Sequence, residues 1–169
     1  MKELTKREKE VLIELLKGAR TTDQEIARRI KTSRPTIAKI RNRLEEKRII
    51  LGYNTYVDFE KLGLHVNALT IFKWNDYSKT KELKDIIYFI KNLPEVIVFI
   101  RGEGLGGKSK TMLSVHRDLR EYEIFIRNLQ EKWGPNVTEV DSFLSSIDTI
   151  HKRYDLSRPA LNILNQQHK

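Results

Sequence analysis

From Thr22 to Lys47 the chain reads T-D-Q-E-I-A-R-R-I-K-T-S-R-P-T-I-A-K-I-R-N-R-L-E-E-K, and only three residues, Lys31-Thr32-Ser33, separate two helical patterns. So short a joint forces the two helices to pack at a fixed, steep angle. Thr22-Asp23-Gln24-Glu25 has the form of a capping box, in which hydroxyl and carboxylate satisfy amides left over at a helix start. Ile26, Ala27 and Ile30 then give that helix an apolar side. Ser33 can cap the next helix, and Pro35 falls in its first turn, where a missing N–H does no harm. This helix is expected to run to about Arg48.

On it, Ile37, Ile40 and Leu44 stand at i, i+3 and i+7, one face turned to a core. Pro35, Lys39, Asn42 and Arg43 lie opposite, with Thr36 beside them and Arg34 and Arg41 on the flanks. A short helix, a three-residue turn and a capped helix with a basic outer face form a helix-turn-helix, whose second helix enters the major groove. An ordinary helix hairpin with a solvated basic face is the plain alternative. Turn length, caps, apolar face and charge agree on the groove. Upstream, Thr5-Lys6-Arg7-Glu8 is another capping box, opening a helix with Leu12, Leu15 and Leu16 as its stripe and an end near Gly18. Downstream, I-I-L-G-Y-N-T-Y-V-D-F reads as an extended wing or exit strand after a glycine turn.

Charge is distributed accordingly. The formal total is +9; residues 1–52 hold 15 Lys and Arg against 8 Asp and Glu, net +7, and the remainder 17 against 15, net +2. A localised basic segment calls for a polyanion, nucleic acid first and an anionic membrane second. The absence of cysteine excludes disulfides, thiolate metal sites and thiol nucleophiles. The four histidines, His65, His116, His151 and His168, show no paired metal-ligand spacing. No apolar run approaches the roughly 20 residues of a membrane span, and M-K-E-L-T-K-R-E-K-E lacks the apolar core of a signal peptide. The expectation is a cytoplasmic protein without metal, cofactor or membrane partner.

In the rest of the chain, H-V-N-A-L-T-I-F-K-W is a strand pattern and K-T-K-E-L-K-D-I-I-Y-F-I-K-N-L a helix with Leu83, Ile86, Ile87 and Ile90 on one side, ended by Pro94. E-V-I-V-F-I-R is a continuous apolar strand, which predicts cover on both faces. K-T-M-L-S-V-H is a further strand. Asp118-Leu119-Arg120-Glu121 caps a helix carrying Leu119, Tyr122, Phe125, Ile126 and Leu129, stopped by Gly134-Pro135. N-V-T-E-V-D-S-F-L-S-S-I-D-T-I-H-K-R-Y-D-L supplies a last long strand, bent or broken. The order βαββαβ is the ferredoxin-like plan. The predicted fold is therefore α+β: a winged helix-turn-helix over 1–52, a linker strand over 53–64, a ferredoxin-like dimerisation and effector domain over 65–157, and a tail over 158–169.

The stretch from Asp23 to Leu64, D-Q-E-I-A-R-R-I-K-T-S-R-P-T-I-A-K-I-R-N-R-L-E-E-K-R-I-I-L-G-Y-N-T-Y-V-D-F-E-K-L-G-L, joined to a βαββαβ domain, resembles the leucine-responsive regulator/AsnC (Lrp/AsnC) family of transcription regulators. The resemblance covers nearly the whole chain. It implies double-stranded DNA as partner, a C-terminal domain that dimerises through its sheet, assembly of dimers into larger rings, and an amino-acid or other small-molecule effector bound between dimers. It also implies a recognition-helix role for Ser33, Arg34, Thr36, Lys39 and Arg43; with the outer-face residues Pro35 and Asn42 these make the candidate DNA-binding set. In one place the chain departs from the family. Where a compact G-x-Y-D segment is usual, near the effector site, this chain has R-G-E-G-L-G-G-K-S-K-T, longer and without the Tyr-Asp pair.

That segment supports a rival, a nucleotide-binding protein that uses the Gly102 to Ser109 loop. Gly102 to Ser109 fits G-x-x-x-x-G-K-S, the pattern in which backbone amides, a lysine and a serine cradle phosphates and Mg²⁺, while Gly102, Gly104 and Gly107 also fit G-x-G-x-x-G. A phosphate loop further needs a following helix, an acidic metal partner and a large parallel sheet. No such strand-borne acid or sheet is evident in the remaining residues, and a hairpin loop is the simpler assignment. Gly102, Gly104, Gly106, Gly107, Lys108 and Ser109 stay as candidate effector-binding residues, through amides and the Lys108 ammonium. A third alternative is a metabolite-binding or decarboxylase relative that does not read DNA. Single histidines within strands, and Asp141 and Asp148 seven apart, form no nucleophile, base and oxyanion arrangement, so no catalysis is expected.

Overall fold

The computed structural model describes residues 4–18, 20–75, 80–152 and 155–166; His168, the tail from 167 onward and the side chain of Leu83 lie outside the described part. In chain order the elements are α1 (Lys6–Lys17), α2 (Asp23–Arg29), α3 (Arg34–Glu46), β1 (Val66–Trp74), α4 (Thr80–Lys91), β2 (Val96–Arg101), β3 (Lys110–His116), α5 (Leu119–Trp133), β4 (Val137–Ser146) and α6 (Ser157–Gln166). They pack as two units, residues 1–56 with 153–169, and residues 57–152.

In the first unit both capping boxes close. Thr5 N donates to Glu8 Oε2 at 2.9 Å and Glu8 N to Thr5 Oγ1 at 3.2 Å; Thr22 and Glu25 repeat this at 2.8 and 3.2 Å. The core is Val11, Leu15, Ile26, Ala27, Ile37, Ile40 and Leu44. The stripe of α1 is thus centred on Val11 and Leu15, while Leu12 and Leu16 are only partly buried. α3 ends at Glu46, short of Arg48, because Arg48 takes a left-handed φ of 54° and the amides of Ile49 and Ile50 both turn back to Leu44 O.

The chain after α3 differs from expectation. Residues 51–57, predicted as a wing or exit strand, form neither helix nor ladder, and within 53–64 a 3-10 turn, Glu60–Leu62, stands instead of a strand. The amides of Leu62, Gly63 and Leu64 are consumed by the Phe59 and Glu60 carbonyls, leaving none for a neighbouring strand, and Gly63 at φ 81° closes the turn. The segment predicted as a tail carries α6, which packs on α1 with Leu164 buried.

The second unit is a four-stranded sheet in the order β2-β3-β1-β4, every neighbour antiparallel. This is the predicted ferredoxin-like βαββαβ arrangement. β1 alternates, with Ala68, Thr70, Phe72 and Trp74 fully buried, so α4 and α5 cover one face around Phe72, Trp74, Ile86, Ile90, Met112, Phe125, Leu129 and Val137. Leu119, expected on the inner stripe of α5, is 56% exposed. β4 is bent, since Glu139 sits at φ 50° where the register against Ile71 and Lys73 shifts. It stops at Ser146, ten residues before the predicted strand's end at Leu156, because a 3-10 turn, Ile147–Thr149, interrupts it. The other sheet face is open within the chain: Leu69, Ile71 and Leu113 are partly buried there, and Ile100 and Phe143, registered beside them, are 49% and 68% exposed. Cover on both faces of β2 is therefore not supplied by this chain alone.

Candidate nucleic-acid interface

Among the described residues, three ion pairs tie α1, α2 and α3 together, one between each two. Lys47 Nζ, at the C-cap of α3, lies 2.7 Å from Glu8 Oε1 of α1. Arg29 Nη1 of α2 lies 2.9 Å from Glu14 Oε2 of α1, and Lys17 holds the other oxygen at 2.7 Å. Arg41 of α3 donates from Nε at 2.8 Å and Nη2 at 2.5 Å to Asp23 Oδ1 at the start of α2. The Lys47 bond, then the Thr5 amide, hold the Glu8 carboxyl below the usual carboxylate range against the effect of burial. Lys17 and then Arg29 do the same for Glu14.

Arg41 is thereby removed from the flank of the groove face. Its side chain is 18% exposed, and its guanidinium also lies 5.7 Å from the centre of the Tyr53 ring. Tyr53 Oη in turn donates to Glu45 Oε1 at 2.7 Å; burial, then this bond, push the phenol above its ordinary value. Helical spacing could place Arg41 only at the edge of the face. Its strut role depends on where Asp23 comes to lie, which a single-helix pattern does not contain.

The turn between α2 and α3 is made by Lys31 at φ 53° and by the Thr32 amide reaching back to Ala27 O at 2.9 Å. Ser33 then caps α3, accepting from Thr36 N at 3.3 Å and lying 2.7 Å from the Thr36 hydroxyl. On the helix so positioned, Ser33, Arg34, Pro35, Thr36, Lys39, Asn42 and Arg43 are all exposed, and Ile37, Ile40 and Leu44 all buried. Lys39 and Arg43, about one turn apart, and Arg34 make no ion pair among the described residues, whereas Arg29, Arg41 and Lys47 do. Three uncommitted cations therefore stand along one outer face. The positive dipole end of the helix beside Arg34 adds to the attraction for a phosphate.

The glycine-rich segment is built otherwise. Gly102 N donates to Ser109 O and Gly107 N to Gly104 O, each at 3.0 Å, while Ser109 N bonds Phe72 O at 3.1 Å. Gly104, Gly106 and Gly107 take φ values of 127°, 69° and 88°, which glycine alone adopts at no steric cost. Lys108 Nζ is engaged by Asp141 Oδ2 at 3.0 Å, and Ser109 is buried. The chain leaves this segment as the strand β3 of an antiparallel sheet, where a phosphate loop would open a helix. The six residues belong to a hairpin connection in which the Gly102 and Gly107 amides are already satisfied internally.

A family model described as winged helix-turn-helix DNA-binding matches residues 4–50. Across 146 residues the chain is 32% identical to the HTH-type transcriptional regulator LrpC of Bacillus subtilis (strain 168), covering 85% of this chain and 93% of that protein. The solved structure of B. subtilis LrpC superposes with a TM-score of 0.68 at 26% identity, over 87% of this chain and 99% of that one. An AsnC family transcriptional regulator from Agrobacterium tumefaciens gives 0.76 at 18% identity over 92% and 99% of the two chains. The transcriptional regulator NMB0573 of Neisseria meningitidis, solved in complex with L-Met, gives 0.74 at 18% over 91% and 96%. With a DNA-binding helix-turn-helix at one end, a ferredoxin-like sheet domain after it, and a regulator of this kind matched along most of its length, the chain belongs to the Lrp/AsnC family of transcription regulators.

Proposed function

We propose that the protein regulates transcription by laying α3 in the major groove, with Arg34, Lys39, Asn42 and Arg43 on bases and phosphates and Ser33, Pro35 and Thr36 against the backbone at the helix start. The observation that carries this is the division of α3 itself: every one of these side chains is exposed, and Ile37, Ile40 and Leu44 are buried. Two copies join through the open sheet face, where Ile100 and Phe143 need cover, and so present two recognition helices to one duplex. Higher assemblies build on that dimer. The protein acts in the cytoplasm as a regulator and not as a catalyst.

A small-molecule effector modulates it at the hairpin of Gly102, Gly104, Gly106, Gly107, Lys108 and Ser109. A regulator of the same fold is known with L-Met, and here an anionic group would compete with Asp141 for Lys108. The test is gel retardation of DNA from upstream of the chain's own gene, with and without amino acids and ATP. A salt-sensitive shifted band is expected, unchanged by ATP. No retardation by micromolar protein at low salt would overturn the proposal.

A further inference from the structure

A helix with its side chains is roughly 10–12 Å across and the major groove about 12 Å wide, so a helix lying there fills it. Side chains farthest from the core then meet base edges on the groove floor, and those at the sides meet the phosphates of the two walls. Counting roughly 100° per residue, Pro35 and Asn42 stand about 170° from the mean direction of the buried Ile37, Ile40 and Leu44. The Pro35 side chain neither donates nor accepts, which leaves Asn42 as the polar group over the floor. Arg34 and Arg43 stand about 90° from the core direction on opposite sides, one toward each wall.

Asn42 is exposed, and among the described residues its side-chain amide makes no hydrogen bond. Other asparagines are spent within the chain: Asn67 Nδ2 donates to Ser145 Oγ at 3.2 Å and Asn92 Nδ2 to Tyr88 O at 2.6 Å. Ala38, one turn before Asn42, carries only a methyl and lets the backbone come close to the bases. Of the two carboxylates that follow, Glu45 accepts from Tyr53 Oη at 2.7 Å, while Glu46 is exposed one turn beyond Asn42 on the same outer face. Phosphate repels that charge, so the helix lies deepest over Ala38 and Asn42 and leaves the groove by Glu46.

We propose that Asn42 reads one adenine for each copy of α3, an inference that rests on the placing of α3 in the groove. The Asn42 amide carries a donor and an acceptor in one plane, and adenine alone shows an acceptor, N7, beside a donor, N6, on its major-groove edge. Guanine presents two acceptors, cytosine one donor, and thymine one acceptor with a methyl. Each of these leaves one end of the amide unanswered. Arg34 and Arg43 make no such choice at the walls, because phosphate is the same at every base step.

Duplexes selected from a random pool by the native full-length chain supply the probe. Replacing their adenines one at a time by 7-deazaadenine removes N7 and leaves base pairing intact. At one adenine per recognition helix the native chain should lose affinity roughly 2- to 10-fold, the worth of one hydrogen bond. Asn42→Ala, whose substituted side chain lies outside the core, should bind more weakly, be indifferent to the replacement and keep its salt slope. Lys39→Ala should keep the adenine sensitivity while binding every duplex more weakly. If no adenine N7 matters to the native chain, or if Asn42→Ala is equally sensitive to its loss, the assignment is overturned and α3 stays in the groove. Failure of the native chain to retain any duplex would sink the groove placement as well, so the two failures are told apart.

Discussion

Lys47 Nζ donates to Glu8 Oε1 across 2.7 Å, and this bond ties the C-cap of α3 to the capping box that opens α1. Glu8 is 1% exposed, so removing its lysine leaves a buried carboxylate held by the Thr5 amide and hydroxyl alone. Lys47→Met should destabilise the helix-turn-helix unit by about 1–3 kcal/mol. The folded pKa of Glu8 is lowered, so the group's stabilisation is present above its unfolded value near 4.5 and is lost as pH falls through the folded value. In the variant that acid loss should be smaller and complete at higher pH, because without Lys47 the folded value lies closer to the unfolded one, as thermal unfolding at a series of pH values would read. An identical acid profile would deny Glu8 this role.

Arg41 gives a second outcome, in which a residue that does not touch DNA governs DNA binding. Asp23→Asn removes the charge that holds Arg41 and slackens the angle between α2 and α3. Affinity for operator DNA should fall several-fold while the salt dependence of binding keeps its slope, because no phosphate contact has been deleted. A reduced slope would mean that Arg41 or its neighbours contact the backbone directly.

How far these features could be read in the sequence depends on their range. Both capping boxes and the Ile37, Ile40, Leu44 face are local patterns, and they occur as spaced. The four strands and two helices of the sheet unit were likewise legible from periodicity. The Arg41 strut, the position of α6 on α1 and the open side of β2 depend on residues distant in sequence, so no window contains them. Lys31 is a different case: its φ of 53° is one that glycine adopts most readily, and a lysine there carries no turn signal. At the hairpin, glycine density imitated a phosphate loop, and only the strand β3 and the internal bonds distinguish the two.

The open sheet face predicts self-association. Phe143→Asp places a charge where the register puts Phe143 beside Leu69. Sedimentation of the full chain should change from dimer or larger to monomer, with circular dichroism unchanged. An unaltered sedimentation coefficient would remove this face from the assembly.

His116 should make the sheet unit sensitive to mild acid. The ring is buried against Tyr122 and Phe125, with centroids 5.4 and 4.9 Å away, and burial pushes its pKa below 6.5 against the opposing pull of Glu121 and Glu95. The unfolded chain then binds the proton more readily. Stability should be full above about pH 6.5 and fall as pH drops toward the folded value. Denaturant unfolding at neutral and mildly acidic pH should show this for the native chain, and His116→Leu should flatten it. The same pH dependence in the variant would assign it elsewhere.

The most direct measurement is a salt titration of DNA binding by the native chain and by a Lys39→Ala, Arg43→Ala double variant, whose substituted side chains lie outside the core. If α3 lies in the groove with both cations on phosphates, the variant should fold normally, bind more weakly, and lose about two units of log-log salt slope. A folded double variant with native affinity and native slope would contradict the account.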